Sequence, residues 1–151
     1  NHTCRCSRQQ IQRYRNKISG PLLDRIDIHI EVPSTNFTNL QSIPDGASSA
    51  DLKKGVDTAR AVQKERFKGL GSIRTNADMG RREIAKYCYL DEETSEVMEY
   101  AMNEMHYSPR AHDRILKVAR TIADIAQSEN IRPEHLQEAL QYRALDRTLW
   151  V

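Results

Sequence analysis

The stretch at residues 108–127 constrains the fold more than any other, because it carries every signal of a long amphipathic helix. Ser108 is a good N-cap and Pro109 suits the first helical position. Apolar side chains then recur three and four positions apart, at Ala111, Ile115, Val118, Ala119, Ile122, Ile125 and Ala126. The opposite arc is polar and mostly basic, with Arg110, Asp113, Arg114, Lys117, Arg120, Thr121 and Asp124. We therefore predict a helix that packs a core with one face and presents a basic ridge on the other.

Arg110 is the unusual residue of this helix, because it falls in the first turn, where the helix dipole does not favour a cation. Such a placement suggests that the charge has a partner. The alternative is an arginine that is simply solvated at the surface. The sequence of the helix leaves both interpretations open.

Composition and charge set the class of protein. A chain of 151 residues, with 29% charged and 6% aromatic residues, fits one helix-rich domain with a core better than a β-sandwich. The net charge of +2 says little, but residues 1–25 carry six cationic side chains against Asp24 alone, an asymmetry typical of phosphate or nucleic-acid contact or of an acidic neighbour. No apolar run is long enough for a membrane span and no signal peptide is evident, so we expect a cytoplasmic protein with no membrane partner.

The three cysteines do not make a secreted disulfide framework. Cys4 and Cys6 stand in the order HTCRCS, and thiolates are zinc ligands, but neighbours at this spacing complete a site only with further ligands elsewhere. Half a metal site and two idle thiols are both compatible with the pattern. We predict no bound metal in this chain.

Residues 9–19 predict a short helix that the Gly20-Pro21 pair ends. In residues 26–32, isoleucine and valine alternate with Asp27, His29 and Glu31, which predicts a β-strand. A lone strand needs a sheet that this sequence does not supply. The strand, and a first residue other than Met, suggest a piece of a longer protein. Residues 34–49 are rich in Ser, Thr, Asn, Pro and Gly and predict a linker or loop.

Beyond the linker the pattern is helical. We predict helices over 51–67 and 80–88, another capped by Asp91, the helix at 108–127, and a last one that begins at Pro133 and extends as far as Leu145. The side chains expected to face inward in the helices other than 108–127 are Leu52, Val56, Ala59, Gln63, Phe67, Ile84, Tyr87, Val97, Met98, Ala101, Met102, Met105, Leu136, Ala139 and Leu140.

No motif supports independent catalysis. The acidic run after Tyr87, reading LDEE, could in principle hold Mg²⁺, but it opens a helical repeat, where acids serve as caps. Gly69-Leu70-Gly71 lacks the strand before it and the Lys-Ser/Thr after it that a phosphate loop requires. Arg25 and Arg110 could each contact phosphate oxygens, although an ion pair of Arg25 with Asp24 or Asp27 and a solvated Arg110 are favoured on spacing alone.

Three segments together, CRCSRQQIQRYRNKISGPLLDRIDIHIEVP, SPRAHDRILKVARTIADIA and IRPEHLQEALQYRALDR, closely resemble the magnesium-chelatase-like AAA+ proteins, and within them the ComM/YifB branch. The resemblance implies a mainly α fold: the helical-bundle lid domain of an AAA+ ATPase, preceded by a remnant of the α/β core with one helix and one strand. It implies a core remnant at residues 1–33, a linker at 34–50 and a lid at 51–151.

The resemblance also assigns roles to two residues. Arg25 matches the arginine finger, which reaches the ATP of a neighbouring subunit and would be catalytic. Arg110 matches the sensor-2 arginine, which touches the nucleotide phosphates from the lid, in cis or in trans according to the branch. ATP and Mg²⁺ are thus implied for the parent protein, with no cofactor expected on this chain by itself, which lacks the nucleotide loop.

The implied partners of the parent are neighbouring subunits of a hexameric ring and DNA, in branch migration during natural transformation, whereas this piece is expected to be monomeric. A further CxC, which the family carries upstream of the pair matching Cys4 and Cys6, suggests a four-thiolate site of which this chain holds half. Two alternatives remain: a non-enzymatic basic DNA-binding module, and the lid of a true magnesium chelatase motor subunit.

Overall fold

The structure, a computed structural model, describes residues 5–32 and 46–143, and within these ranges it is helical with no β-strand. The mainly α fold expected from the sequence is confirmed. The helices, in chain order, are α1 (Arg8–Arg15), α2 (Gly20–Leu23), α3 (Ser49–Arg66), α4 (Arg81–Tyr87), α5 (Glu92–Met105), α6 (Pro109–Ile125) and α7 (Pro133–Gln141), with a short 3₁₀ turn at Asn76–Asp78 between α3 and α4.

The helix starts follow the capping residues in the sequence. The side chains of Ser48, Asp91 and Ser108 accept hydrogen bonds from the backbone N–H three residues on, at 3.2, 2.9 and 3.2 Å. Proline occupies the first helical position of α6 and α7, where its missing N–H costs no intrahelical bond. The predicted helix at 108–127 is therefore formed by the residues expected to start it.

Helix α6 lies at the centre of the domain, where it packs against α3, α4, α7 and the 3₁₀ turn. Four of its apolar side chains, Ile115, Leu116, Ala119 and Ala123, are buried in the main core. The other buried members of that core are Phe67, Met79, Ile84, Cys88, Met98, Ile131, Leu136 and Ala139. Most of the apolar positions predicted to face inward do so.

The predicted strand at residues 26–32 is not formed in this structure, which assigns no regular element there. The isoleucines at 26, 28 and 30 and Val32 are exposed, by 39% to 84%, and the buried side chain of the segment is His29. The segment instead lies against the end of α7, where the His29 N–H donates to the carbonyl oxygen of Tyr142 at 2.7 Å. A strand requires a neighbouring strand for its backbone hydrogen bonds, and the described residues offer none.

The basic ridge predicted for α6 is correct for Arg110, Arg114 and Lys117 but wrong for Arg120 and Asp124, which are 3% and 1% exposed. Asp124 receives hydrogen bonds from Arg66 Nη1 at 2.7 Å and Arg120 Nε at 3.1 Å. Asn76 Nδ2 donates to the same carboxylate at 2.8 Å. This network, which we call the Asp124 cluster, ties α3 and the 3₁₀ turn to α6. Buried charges of this kind are tolerated because each is paired.

Arg120 also closes the turn after α6, since its Nη2 and Nη1 donate to the carbonyl oxygens of Ser128 and Glu129 at 2.6 and 2.8 Å. Burial lowers the pKa of its guanidinium, although the nearby Asp124 acts in the opposite direction. Helical periodicity alone places Arg120 on the polar arc, and the loop that folds over it makes this position internal.

Two further expectations need correction. Leu52 and Val56, predicted to face inward from α3, are 62% and 54% exposed, and the buried part of that stripe begins at Ala59. The helix predicted over 9–19 ends at Arg15 in α1, and none of its residues is buried. The extension of the last helix to Leu145 and most of the predicted linker lie outside the described residues, as does Cys4.

Candidate anion-binding site

Arg25 and Arg110, the two site residues predicted from the sequence, line one pocket of about 390 Å³. The pocket opens between α4, the start of α6 and the turn after α2. Its charged lining comprises Arg25, Arg81, Arg110, Arg114 and Lys117 as cations, with Asp24 and Asp113 as carboxylates. Met79, Gly80 and Ile84 complete the wall. Five cations against two carboxylates make this a positively charged site, suited to an anion.

Arg110 reaches the pocket because Ser108 and Pro109 fix where α6 begins. It is the second residue of the helix, and its exposed side chain makes no hydrogen bond or ion pair within the described residues. A cation in the first turn of a helix lies at the positive end of the dipole. Its charge is therefore unsatisfied by the protein around it.

Arg25 follows α2, and its Nη1 donates to the carbonyl oxygen of Pro21 at 2.5 Å. Besides the hydrogen bond of His29 to Tyr142, two contacts near Arg25 hold this part of the chain against the helical domain. Asp27 forms an ion pair with Arg114 at 2.8 Å, and Arg143 Nη1 donates to the carbonyl oxygen of Ile26, also at 2.8 Å. The backbone next to Arg25 is thus held against the helical domain, while the Arg25 side chain itself is exposed.

Arg81 is the first residue of α4. The N-cap residue before it is Gly80, whose backbone N–H donates to Glu83 Oε2 at 2.9 Å. Its side chain is exposed and, among residues 5–32 and 46–143, it has no hydrogen-bond or ion-pair partner. Lys117, by contrast, is occupied, because its Nζ donates to the carbonyl oxygen of Ala77 at 2.9 Å. Arg81 and Arg110 are therefore the unpaired guanidinium groups of the pocket.

Such an arrangement is chemically suited to oxyanions. A guanidinium stays charged at any physiological pH and offers parallel N–H donors that match phosphate or carboxylate oxygens. The pocket contains no nucleophile paired with a general base, so the chemistry that its residues can supply is binding and charge stabilisation.

The sequence did not identify Arg81, Arg114 or Lys117 as site residues. Arg114 and Lys117 belong to the basic arc of α6, and their positions four and seven residues after Arg110, on the same face of the helix, were a usable signal. Arg81 carried none, because it is brought to the pocket only by the packing of α4 on α6.

The acidic run after Tyr87 acts as a cap, as preferred from the sequence. Asp91 accepts a hydrogen bond from the Thr94 N–H at 2.9 Å, and the bonds from Thr94 hold the pKa of its carboxyl below the usual value.

Gly69 and Gly71 form a turn in which both have positive φ, 82° and 64°, which glycine adopts without strain. Within the described ranges, no three His, Cys, Asp or Glu side chains are grouped so as to hold a metal ion. No helix of these ranges is both long and apolar enough to span a membrane.

Comparison with known proteins defines the class. Residues 46–143 match the family model described as "Magnesium chelatase, subunit ChlI C-terminal", and residues 1–40 match "Magnesium chelatase, subunit ChlI". The first match covers well over half of the chain, so this protein belongs to the magnesium chelatase subunit ChlI C-terminal family.

Individual relatives in bacteria match nearly the whole of this chain. The chain is 44% identical to the competence protein ComM of Haemophilus influenzae over 146 residues, which are 96% of this chain and 28% of that protein. It is 45% identical to the uncharacterized protein YifB of Salmonella typhimurium over 150 residues, or 99% of this chain and 28% of YifB. The YifB protein of Escherichia coli is 43% identical over the same length. The chain thus spans 28% of the length of these curated relatives.

Proposed function

We propose that this chain is the lid part of a magnesium-chelatase-like AAA+ ATPase and that its pocket engages the phosphates of ATP. The observation that carries the proposal is the convergence of Arg25 and Arg110 on one pocket. The two positions match, by family resemblance, an arginine finger and a sensor-2 arginine. In phosphoryl transfer, such an arginine stabilises the charge that spreads over the oxygens of the transferred phosphate.

Because both arginines face one pocket, they are placed to act on the same nucleotide. An arginine finger reaches the ATP of a neighbouring subunit, so Arg110 would act in trans together with Arg25. ATP and Mg²⁺ would be held by residues outside this chain, and the pocket would cover the phosphates of a nucleotide bound by the adjacent subunit of a ring. Loss of the terminal phosphate would then weaken the contacts on both arginines and release the lid.

The test is the rate of ATP hydrolysis by the full-length protein that carries this chain. Arg25→Ala and Arg110→Ala should each lower the turnover number at least a hundredfold, consistent with the roughly 10³- to 10⁵-fold contribution of arginine fingers, without loss of helical circular dichroism. Arg132→Ala is the matched control, because Arg132 is exposed and outside the pocket. Wild-type turnover in both pocket variants would exclude the proposal.

We propose that the ATPase acts on DNA. This proposal rests on the resemblance to the ComM/YifB branch and on helix α1. That helix carries Arg8, Arg13 and Arg15 with no acidic residue, and all of its residues are exposed. Exposed arginines on one short helix suit the phosphate backbone of DNA. The sequence leaves open a role for this helix as a DNA-binding module without ATPase activity.

Fluorescence anisotropy with a labelled DNA duplex separates these alternatives. A DNA-binding module predicts tight binding by the 151-residue chain that falls steeply with salt and is lost in Arg13→Ala/Arg15→Ala. A DNA-dependent motor predicts weak binding by this chain and DNA-stimulated ATP hydrolysis by the full-length protein. A true magnesium chelatase motor subunit predicts no stimulation by DNA.

A further inference from the structure

We propose that Arg81 is a third arginine of the pocket and contacts the phosphate chain of the bound nucleotide together with Arg25 and Arg110. The inference rests on the proposed function, since it concerns the same anion. It adds a contact from helix α4, a part of the chain to which the family resemblance assigned no role.

The first support is that Arg81 has no partner of its own. Like Arg110, it is exposed and lines the pocket, and its side chain makes no hydrogen bond or ion pair in the part of the chain that the structure describes. Both residues also occupy the first turn of a helix, where the dipole disfavours a cation. An anion between them would relieve both unfavourable placements.

The second support is that the remaining cations of the pocket are already committed. Arg114 is paired with Asp27 at 2.8 Å, and Lys117 donates to the carbonyl oxygen of Ala77 at 2.9 Å. These contacts hold the two side chains to the wall of the pocket. Asp27 offsets the charge of Arg114, whereas Lys117 keeps its charge and adds to the positive potential of the site. Arg81 and Arg110 retain all of their N–H donors for it.

The third support is the shape of the site. The three arginines come from three separate elements: the turn after α2, the start of α4 and the start of α6. Donors from three separate elements match an anion that has several phosphoryl groups better than they match a single phosphate. We therefore expect affinity to rise from orthophosphate to pyrophosphate to tripolyphosphate, the inorganic equivalent of the ATP phosphate chain.

The experiment is isothermal titration calorimetry of the 151-residue chain with tripolyphosphate at low ionic strength, where charge interactions are least screened. Arg81→Ala should weaken binding about tenfold, as expected for the loss of one charge-assisted hydrogen bond. Arg82→Ala is the matched control, because Arg82 is the next residue of the same helix and exposed but does not line the pocket. Its affinity should equal that of the wild type. Arg81→Lys, which keeps the charge, should recover part of the loss.

Each contrary outcome has a distinct meaning. If Arg81→Ala binds like the wild type while Arg110→Ala is weakened, the inference about Arg81 is wrong and the proposed function stands. If Arg25→Ala, Arg81→Ala and Arg110→Ala all bind like the wild type, or the wild type does not bind tripolyphosphate, both are wrong. If a DNA duplex displaces tripolyphosphate and is itself weakened by Arg81→Ala, the pocket binds a nucleic-acid backbone and the assignment to a nucleotide is overturned.

Discussion

The guanidinium of Arg143 donates a hydrogen bond to the carbonyl oxygen of Ile26 at 2.8 Å, although 117 positions of the chain separate the two residues. Arg143 is completely buried, and its Nη2 also lies 3.5 Å from the carbonyl oxygen of Leu23. Its guanidinium lies 6.0 Å from the ring of Tyr107. One arginine at the end of α7 therefore joins the N-terminal segment to the helical domain, and it does so on either side of Arg25.

Arg143→Met should release this segment, because methionine fills similar space but cannot donate hydrogen bonds. We expect faster amide hydrogen exchange over residues 23–29 and a free energy of unfolding lower by about 2–3 kcal/mol, the scale for losing hydrogen bonds to a charged group. Arg132→Ala, an exposed arginine whose ion pair with Glu134 spans 3.9 Å, is the control and should change neither quantity. Unchanged exchange at Ile26 in Arg143→Met would contradict the account.

Asp124→Ala should destabilise the domain strongly, because it leaves Arg66 and Arg120 without their shared carboxylate. Removing one member of a buried ion cluster typically costs about 3–5 kcal/mol. Chemical denaturation followed by circular dichroism measures the loss. The matched control is Glu65→Ala, which removes the exposed ion pair with Lys68 and should cost less than about 1 kcal/mol. Similar costs for the two variants would show that the Asp124 cluster does not hold the core together.

Cys88 should make the protein sensitive to alkaline pH. Burial raises the pKa of its thiol from the ordinary 9.0 to about 11. The folded state therefore favours the neutral thiol, and the unfolded chain ionises first. Stability is fully present below pH 9 and falls as pH rises from 9 to 11, by ~3 kcal/mol at about 1.4 kcal/mol per pKa unit.

The measurement is the free energy of unfolding of the wild type and of Cys88→Ala at pH 8, 9, 10 and 11. Lysine and tyrosine titrations contribute to both proteins, so the difference between them isolates Cys88. We expect the wild type to lose stability relative to the variant across this window. A difference that stays constant from pH 8 to 11 would contradict the burial of an un-ionised thiol.

Ser108→Ala should weaken the start of α6, because the Ser108 hydroxyl accepts the Ala111 N–H at 3.2 Å. Loss of such a cap costs about 1 kcal/mol. Ser95→Ala, an exposed serine within α5, is the control and should be neutral or slightly stabilising, since alanine is the better helix former. Thermal unfolding distinguishes the two. Equal melting temperatures would mean that Pro109 and packing alone fix where the helix begins.

Helix α6 shows which features of the fold can be predicted from the sequence. Its start at Pro109 and its apolar face followed from capping and periodicity, because both signals are local. Arg120 and Asp124 were assigned to solvent for the same reason, since periodicity cannot show that α3 and the turn at Ser128 would cover the polar arc. These two side chains are buried because of partners that are distant in the chain, such as Arg66 for Asp124.

The candidate site likewise has residues that could be predicted from the sequence and residues that could not. Arg25 and Arg110 could be named from motifs that resemble a known family, whereas their meeting in one pocket depends on contacts made by Arg143 and Asp27. Arg81 could not be predicted, because its position depends on how α4 packs against α6. The predicted strand at residues 26–32 failed because alternation reports a preference and a strand also needs a neighbour.

The central claim is that Arg25 and Arg110 bind one and the same anion, and calorimetric titration of the 151-residue chain with tripolyphosphate tests it most directly. We predict that one tripolyphosphate binds per chain. Arg25→Ala and Arg110→Ala should each reduce its affinity about tenfold. Arg13→Ala, which removes an exposed cation of α1 outside the pocket, should bind like the wild type. Two independent anion sites, or full affinity in either pocket variant, would contradict the account.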